Sequence, residues 1–182
     1  MDLKIKYKSD SSDNSSDSYS EYSNKEDETF ESGMLLEKNY ILIKKIGSGV
    51  YSTVWMVYEY IQKKFYALKI ENEDDFDYGI DEIKLLKNIS TFKNKYINNM
   101  IDSFIYKENK IEYVCIVFDL LAGDLYSIIK KGKYTDGLPL PIVKKISYQL
   151  LNAIDCIHNK VNILHTDIKP ENILIKGYSK KI

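Results

Sequence analysis

From Tyr40 onward the apolar residues come in short runs separated by tight-turn residues. Residues 40–46 form a β-favouring run that stops at Gly47-Ser48-Gly49, residues 52–59 follow at once, and residues 64–70 make a third. Three such runs joined by tight turns predict an antiparallel meander. The period then changes: within residues 78–89, Ile80, Ile83, Leu86 and Ile89 stand three apart, the spacing of one helix face. Residues 101–106 and 113–119 predict two further strands across a polar turn at 107–110. Beyond them the chain reads as helical. Asp124 is placed to cap a short helix through Lys131. Pro141, at a favoured first-turn position, opens a longer helix striped by Val143, Ile146, Leu150, Ile154 and Ile157. Three strands, a helix, two strands and then helices is an α+β order, not an alternating βαβ one.

Ahead of this pattern the composition is different. Residues 9–33 are rich in Ser, Asp and Glu, with too little apolar surface to offset the entropy of ordering, so residues 1–35 are expected to be a disordered acidic tail. Residues 1–33 hold nine acidic residues against four lysines, a charge of −5, whereas the whole chain of 182 residues carries −1. An acidic leader on a mildly basic body argues against a nucleic-acid binder, which shows a concentrated basic patch. Serines followed by acidic residues suit either phosphorylation by acid-directed kinases or a simple solubilising tail. No apolar run approaches the ~18 residues of a membrane span, and the acidic start lacks the apolar core of a secretory signal. Cys115 and Cys156 each lie in an apolar stretch, as expected of buried thiols in a reducing compartment. The expectation is an intracellular protein, cytoplasmic or nuclear, with no membrane partner. The sequence contains no arginine, which removes any bidentate arginine contact.

Three motifs bear on chemistry. Ile46-Gly47-Ser48-Gly49-Val50-Tyr51-Ser52-Thr53-Val54 lies between the first two strands and follows G-x-G-x-x-G-x-V, with Ser52 in place of the third glycine. Glycines let backbone N–H groups approach phosphate oxygens, although a two-glycine hairpin turn is common without that role. Lys69 sits inside the apolar strand Phe65-Tyr66-Ala67-Leu68-Lys69-Ile70, where its charge is costly unless partnered. Glu82, thirteen residues on and within the helix, is a candidate partner. His165-Thr166-Asp167-Ile168-Lys169-Pro170-Glu171-Asn172-Ile173-Leu174 supplies a carboxylate, a lysine two residues later and an asparagine five residues later. Phosphoryl transfer asks for such a set: a carboxylate for the hydroxyl proton, an ammonium for phosphate charge and an amide oxygen for Mg²⁺.

With these motifs in this order, residues 40–176 resemble the eukaryotic protein kinase fold. The likeness is strongest to the SR-protein kinases, in DEIKLLK at 81–87, LPLPIVKKI at 138–146 and HTDIKPENIL at 165–174. Thr166, where most kinases carry arginine, is shared with that group and with the CDC-like kinases. The resemblance implies a five-stranded antiparallel N-lobe with its helix over residues 36–119, and a hinge with part of a C-lobe over 120–182. It implies ATP and Mg²⁺ as cofactors and protein serine or threonine hydroxyls as substrate, with Arg-Ser-rich proteins as the candidate class. Ile46, Val54, Ala67 and Leu174 would sandwich the adenine, and Asp119 to Leu121 would be the hinge, with Phe118 as gatekeeper. Gly47, Gly49 and Ser52 would cover the phosphates and Lys69 would pair with Glu82. Asp167 would be the catalytic base, Lys169 would meet the γ-phosphate and Asn172 would ligate Mg²⁺.

No D-x-G motif follows the catalytic loop before Ile182, the last residue. The C-lobe is therefore expected to be incomplete, with transfer slowed by orders of magnitude without that metal-binding aspartate. On the same reading the stripe Ile146, Leu150, Ile154 and Ile157 has little to pack against. Two readings follow: a serine/threonine kinase, completed by further residues or a complementing chain, or an inactive fragment that binds nucleotide or a partner.

Overall fold

The computed structural model describes residues 2–5, 29–37, 39–131 and 134–177. Its larger sheet is antiparallel, in the order β2-β3-β4-β5-β7-β6. The strands are β2 (Leu35–Leu36), β3 (Tyr40–Ser48), β4 (Ser52–Glu59), β5 (Lys64–Glu71), β6 (Met100–Glu108) and β7 (Ile111–Asp119). The five expected strands are present, and β2 adds a sixth, pairing Leu35 with Ile41 and Leu36 with Tyr40.

Alternation along β4 shows how the sheet is covered. Thr53, Trp55, Val57 and Glu59 are buried on one face, and Ser52, Val54, Met56 and Tyr58 are half-buried on the other. The first face holds the main core, where Leu42, Val57 and Leu68 are fully enclosed among Trp55, Tyr66, Ile70 and Val117. Phe30 completes this core, packing edge-on against Tyr113 with ring centroids 5.0 Å apart. The expected disordered tail is corrected here: residues 29–35 pack on the sheet because Phe30 and the partly buried Met34 bring apolar area that the Ser/Asp-rich stretch lacks. Residues 2–5 are likewise a strand, β1 (Asp2–Ile5). The serines proposed for modification, at 9–28, lie outside the described residues. The β6–β7 connection is tighter than the expected 107–110 turn. Only Asn109 and Lys110 lie outside the strands, both at positive φ of 50° and 71°, the conformation of a two-residue hairpin turn. Glu59 is buried, and its carboxylate accepts the N–H groups of Ile61 and Gln62 at 3.2 and 2.5 Å, tying down the β4–β5 turn.

The opposite face receives helix α1 (Phe76–Ser90), which buries Gly79, Glu82, Ile83, Leu86 and Ile89. Ile83 and Leu86 meet Val114 and Ile116 of β7. Gly79 sets how closely helix and sheet approach: a Cβ there would stand 2.8 Å from Val114 Cβ and 2.9 Å from Glu71 Cγ. Gly79→Ala is therefore expected to cost about 1–3 kcal/mol through overpacking, outweighing the gain of about 1 kcal/mol in helix propensity. The measurement is the urea midpoint, and a midpoint that rises would show that α1 has room to accept the methyl.

After β7 the chain forms β8 (Gly123–Asp124), α2 (Leu125–Lys131), α3 (Leu140–Asp155), a π-helical turn at Cys156–Lys160 and β9 (Ile173–Lys176). Asp124 caps α2 as expected, its Oδ1 accepting the Ser127 N–H at 2.6 Å. A smaller sheet runs β1-β9-β8. The expectation that the α3 stripe lacks partners is not met. Ile146 packs with Leu125, Ile173 and Ile175. Ile157, with Leu150 and Ile154, packs against Ile89 and Ile97 from the region of α1. Short elements before and after α3 fold back on the stripe from Ile146 onward, whereas Val143 at its start is exposed, as are Leu140, Tyr148 and Leu151 elsewhere on the helix. Asn94 Nδ2 donates to the Asn152 carbonyl at 3.0 Å, a second tie between the segment after α1 and α3.

Candidate active site

The site is built on the sheet face that carries α1. In the antiparallel register Gly47 opposes Val54, Val54 opposes Lys69, Lys69 opposes Ile116 and Ala67 opposes Phe118. Directly opposed side chains share a face. Gly47, Val54, Lys69, Ala67 and Phe118 therefore form one surface, with Val54, Ala67 and Phe118 half-buried and Ile46 exposed at its rim. The turn between β3 and β4 is closed by the Gly49 N–H donating to the Ser52 carbonyl at 2.9 Å. Asn72 holds the tip: its Nδ2 donates to the Val50 carbonyl at 2.7 Å and its backbone N–H to the Tyr51 carbonyl at 2.9 Å. Val50 itself is exposed.

Lys69 does not stand alone in its apolar strand. Its Nζ lies 2.5 Å from Glu82 Oε2 on α1 and 2.5 Å from Glu71 Oε1, two residues along β5. All three side chains are largely enclosed, with exposures of 12% for Lys69, 5% for Glu71 and 4% for Glu82. Burial works against the ammonium charge, but the two carboxylates together outweigh it and hold the Lys69 pKa above its ordinary value. The Glu71 pKa is raised as well, which for a carboxyl favours the neutral form: burial, only partly offset by Lys69, and the neighbouring Glu82 raise it to about 7. The motifs did not single out Glu71. A period of two along β5 carries the signal, since residues 69 and 71 of a strand point to the same side.

The second cluster lies after α3. His165 is buried, and Thr166 takes φ 57°, a strained conformation for a β-branched residue. The Asp167 N–H donates to the His165 carbonyl at 2.7 Å, closing a tight turn at that residue. Both carboxylate oxygens of Asp167 are engaged: Lys169 Nζ lies 2.8 Å from Oδ1, and Asn172 Nδ2 donates to Oδ2 at 2.6 Å. Asn172 Nδ2 also meets the Asp167 carbonyl at 3.0 Å. A 3₁₀ turn at Pro170–Asn172 sets this spacing and delivers the chain into β9, where Leu174 opposes Asp124. Asp119, at the end of β7, pairs with Lys64 Nζ at 3.1 Å, and Leu121 is half-buried on the short path to β8. The candidate residues therefore fall into two clusters, on β5–α1 and on the loop before β9, with the segment 119–121 linking the two regions.

Whether Asp167 and Asn172 suit a divalent cation follows from their atoms. A carboxylate and an amide oxygen are hard donors of the kind Mg²⁺ takes, and Mg²⁺ commonly completes its shell with phosphate oxygens and water. Among the described residues no group of three or more His, Cys, Asp or Glu side chains forms a metal cage. The pair suits a cation that arrives with a nucleotide.

Comparison with known proteins agrees with this layout. Residues 40–182 match the protein kinase domain family. A chain of Acanthamoeba polyphaga mimivirus bearing the name serine/threonine-protein kinase L205 is 41% identical over 165 residues, which is 86% of this chain and 30% of that one. Protein kinase dsk1 of Schizosaccharomyces pombe is 37% identical over 145 residues, 76% of this chain and 26% of its own. SRSF protein kinase 3 of Homo sapiens is 39% identical over 150 residues, 79% of this chain and 26% of its own. A crystal structure of a kinase domain superposes with TM-score 0.70 and 28% identity, covering 81% of this chain and 43% of that one. The chain thus spans less than a third of the length of these curated relatives.

Proposed function

The chain belongs to the protein kinase family, and from that membership we propose that the protein transfers the γ-phosphate of ATP to serine and threonine hydroxyls of proteins. The observation that carries the proposal is the cluster Asp167–Lys169–Asn172, a carboxylate held on both oxygens by groups suited to phosphate and metal. The adenine would be held by Ile46, Val54 and Ala67 from the sheet and Leu174 from β9, with the backbone at Asp119 and Leu121, beside Phe118, offered to its edge. Gly47, Gly49 and Ser52 would cover the phosphates, whose charge Lys69, paired with Glu82, would meet.

In the transfer, Asp167 accepts the proton of the substrate hydroxyl as that oxygen bonds to the γ-phosphorus. The bond from phosphorus to the β,γ-bridging oxygen breaks, and ADP leaves with the electron pair. Lys169 meets the charge on the transferred group. Asn172 spends its amide nitrogen on Asp167, so its oxygen is the atom that would hold Mg²⁺, which supplies charge neutralisation across the β- and γ-phosphates. Asp167 is oriented by Lys169 and Asn172 before any substrate arrives, which reduces the reorganisation left for the reaction itself.

Arg-Ser-rich proteins are the proposed substrates, on the strength of the likeness to chains named as SRSF protein kinases. An intracellular setting accords with the buried, unpaired Cys115 and Cys156. Among the described residues no helix is long and apolar enough to cross a membrane. The test is phosphate transfer from labelled ATP to an Arg-Ser repeat peptide, against a Lys-Ser repeat and an Arg-Ala repeat. Phosphoserine on the first, at least tenfold faster than on the second, supports the reading. Equal rates on both serine peptides overturn the arginine preference, and no transfer to any hydroxyl peptide overturns the kinase reading.

A further inference from the structure

The geometry around Lys69 assigns a role to Glu71 that the usual lysine–glutamate pair lacks. One ammonium serves two carboxylates, each at 2.5 Å, and the group carries a net negative charge where all three side chains are enclosed. The arrangement is built in, since Gly79 leaves the space in which the Glu71 stem lies. We propose that Glu71 is a positioning residue that shares Lys69 with Glu82 in the nucleotide-free protein and takes up a proton when phosphate oxygens claim the ammonium. The inference rests on the reading that Lys69 meets the nucleotide phosphates.

The argument is electrostatic. An ammonium has three N–H donors, and two of them face carboxylates. Phosphate oxygens drawing on Lys69 bring further negative charge to an enclosed site, which disfavours two ionised carboxylates there. Of the two, Glu71 is the one already near the point of change, raised by burial to about 7, so a modest added charge protonates it at physiological pH. Groups facing it from the surrounding elements do not replace it. Ser52 opposes it on β4 and is uncharged. From β7 the side chain on its face is Val114, which is apolar. The Cys115 thiol, opposite Ile70 on the other face, is driven well above its ordinary range by burial and stays neutral. Glu73, Asp74 and Asp75, on the turn that follows, add only negative charge. Glu82, reaching from the facing helix, then remains as the partner that keeps Lys69 aimed.

Linkage is reciprocal: if nucleotide binding draws a proton to Glu71, a proton on Glu71 tightens nucleotide binding. The test is calorimetry of MgADP binding to the protein at its natural length, at pH 7.5 in HEPES and in Tris, which differ in ionisation enthalpy. Wild type is expected to take up about half a proton per nucleotide more than Glu71→Gln. Between pH 6.5 and 8.5 its Kd should rise several-fold more steeply than that of the variant. The nucleotide's own titration is common to both proteins and cancels. Glu71→Leu, which also binds no proton, guards against a folding defect particular to one variant. Equal proton uptake in wild type and both variants, with measurable binding, overturns the role of Glu71 and leaves the nucleotide site standing. Absence of MgADP binding by wild type overturns the nucleotide reading, and this inference with it.

Discussion

Lys69→Met is expected to destabilise the fold by about 3–5 kcal/mol at pH 8, the range for removing one partner from a buried ion pair. Here it strands two carboxylates, Glu71 and Glu82, both almost fully enclosed. The pH dependence separates this from an ordinary packing loss. In the wild type Glu71 has a folded value of about 7, above its ordinary 4.5. Between those values the folded state binds more protons than the unfolded state, so stability falls as pH rises through that window and levels off above it. With Lys69 gone the folded state favours protons more strongly, and the fall continues to higher pH. Urea unfolding at pH 5.5 and pH 8 should therefore show a small loss at the lower value and a large one at the higher. Adding Glu71→Gln to Lys69→Met should recover part of the loss at pH 8. A loss of equal size at both pH values, or no recovery in the double variant, would show that the buried charges are not its cause. For this chain, then, loss of activity in Lys69→Met does not by itself report on phosphate binding, because the substitution also unsettles the packing of α1 on the sheet.

Asp167→Asn should lower the rate of phosphate transfer by about 10²–10⁴, the range for removing a positioned base. The amide matches the carboxylate in shape, and Asp167 belongs to the loop cluster, apart from the Lys69 group, so ADP without Mg²⁺, which does not draw on the Asp167–Asn172 pair, should bind with a Kd within about twofold of wild type. Single-turnover transfer to a serine peptide measures the chemical step apart from product release. A fall of less than tenfold would remove Asp167 from the role of base and leave Lys169 and Asn172 as phosphate and metal groups only.

Local signals carried much of this fold. The bounds of β4 could be read to the residue because a β-favouring run follows the glycine turn at once, and α1 and α3 announced themselves through apolar spacing. The loop from His165 to Leu174 was legible because its residue types follow the chemistry of phosphate transfer. What stayed hidden depends on distant partners. Phe30 sits in a Ser/Asp-rich segment and becomes core only because Tyr106 and Tyr113 offer aromatic faces. The two-residue β2 is too short to carry a pattern of its own. The Ile146–Ile157 stripe looked unpartnered because its partners come from other elements, β9, α2, α1 and the segment after α1, and nothing in the helix's own pattern shows that they fold back on it. Glu71 was overlooked for a different reason: the spacing that marks Glu82 as the partner of Lys69 drew attention across to the helix, whereas the second carboxylate was two residues along the same strand.

The small sheet also bears on the order in which the chain assembles. Its centre strand, β9, pairs Ile173 with Ile5 and Lys176 with Asp2, joining segments from opposite ends of the described chain. Contacts so far apart in sequence repay their loop-closure entropy only after the intervening chain has compacted. On the ribosome, the residues of β1 emerge before those of β9 and must wait for the whole stretch between them to be made before their partner exists. The meander of β3, β4 and β5 and the β6–β7 hairpin can close from neighbouring residues as they appear, so the loop bearing Asp167, which leads into β9, is fixed after them.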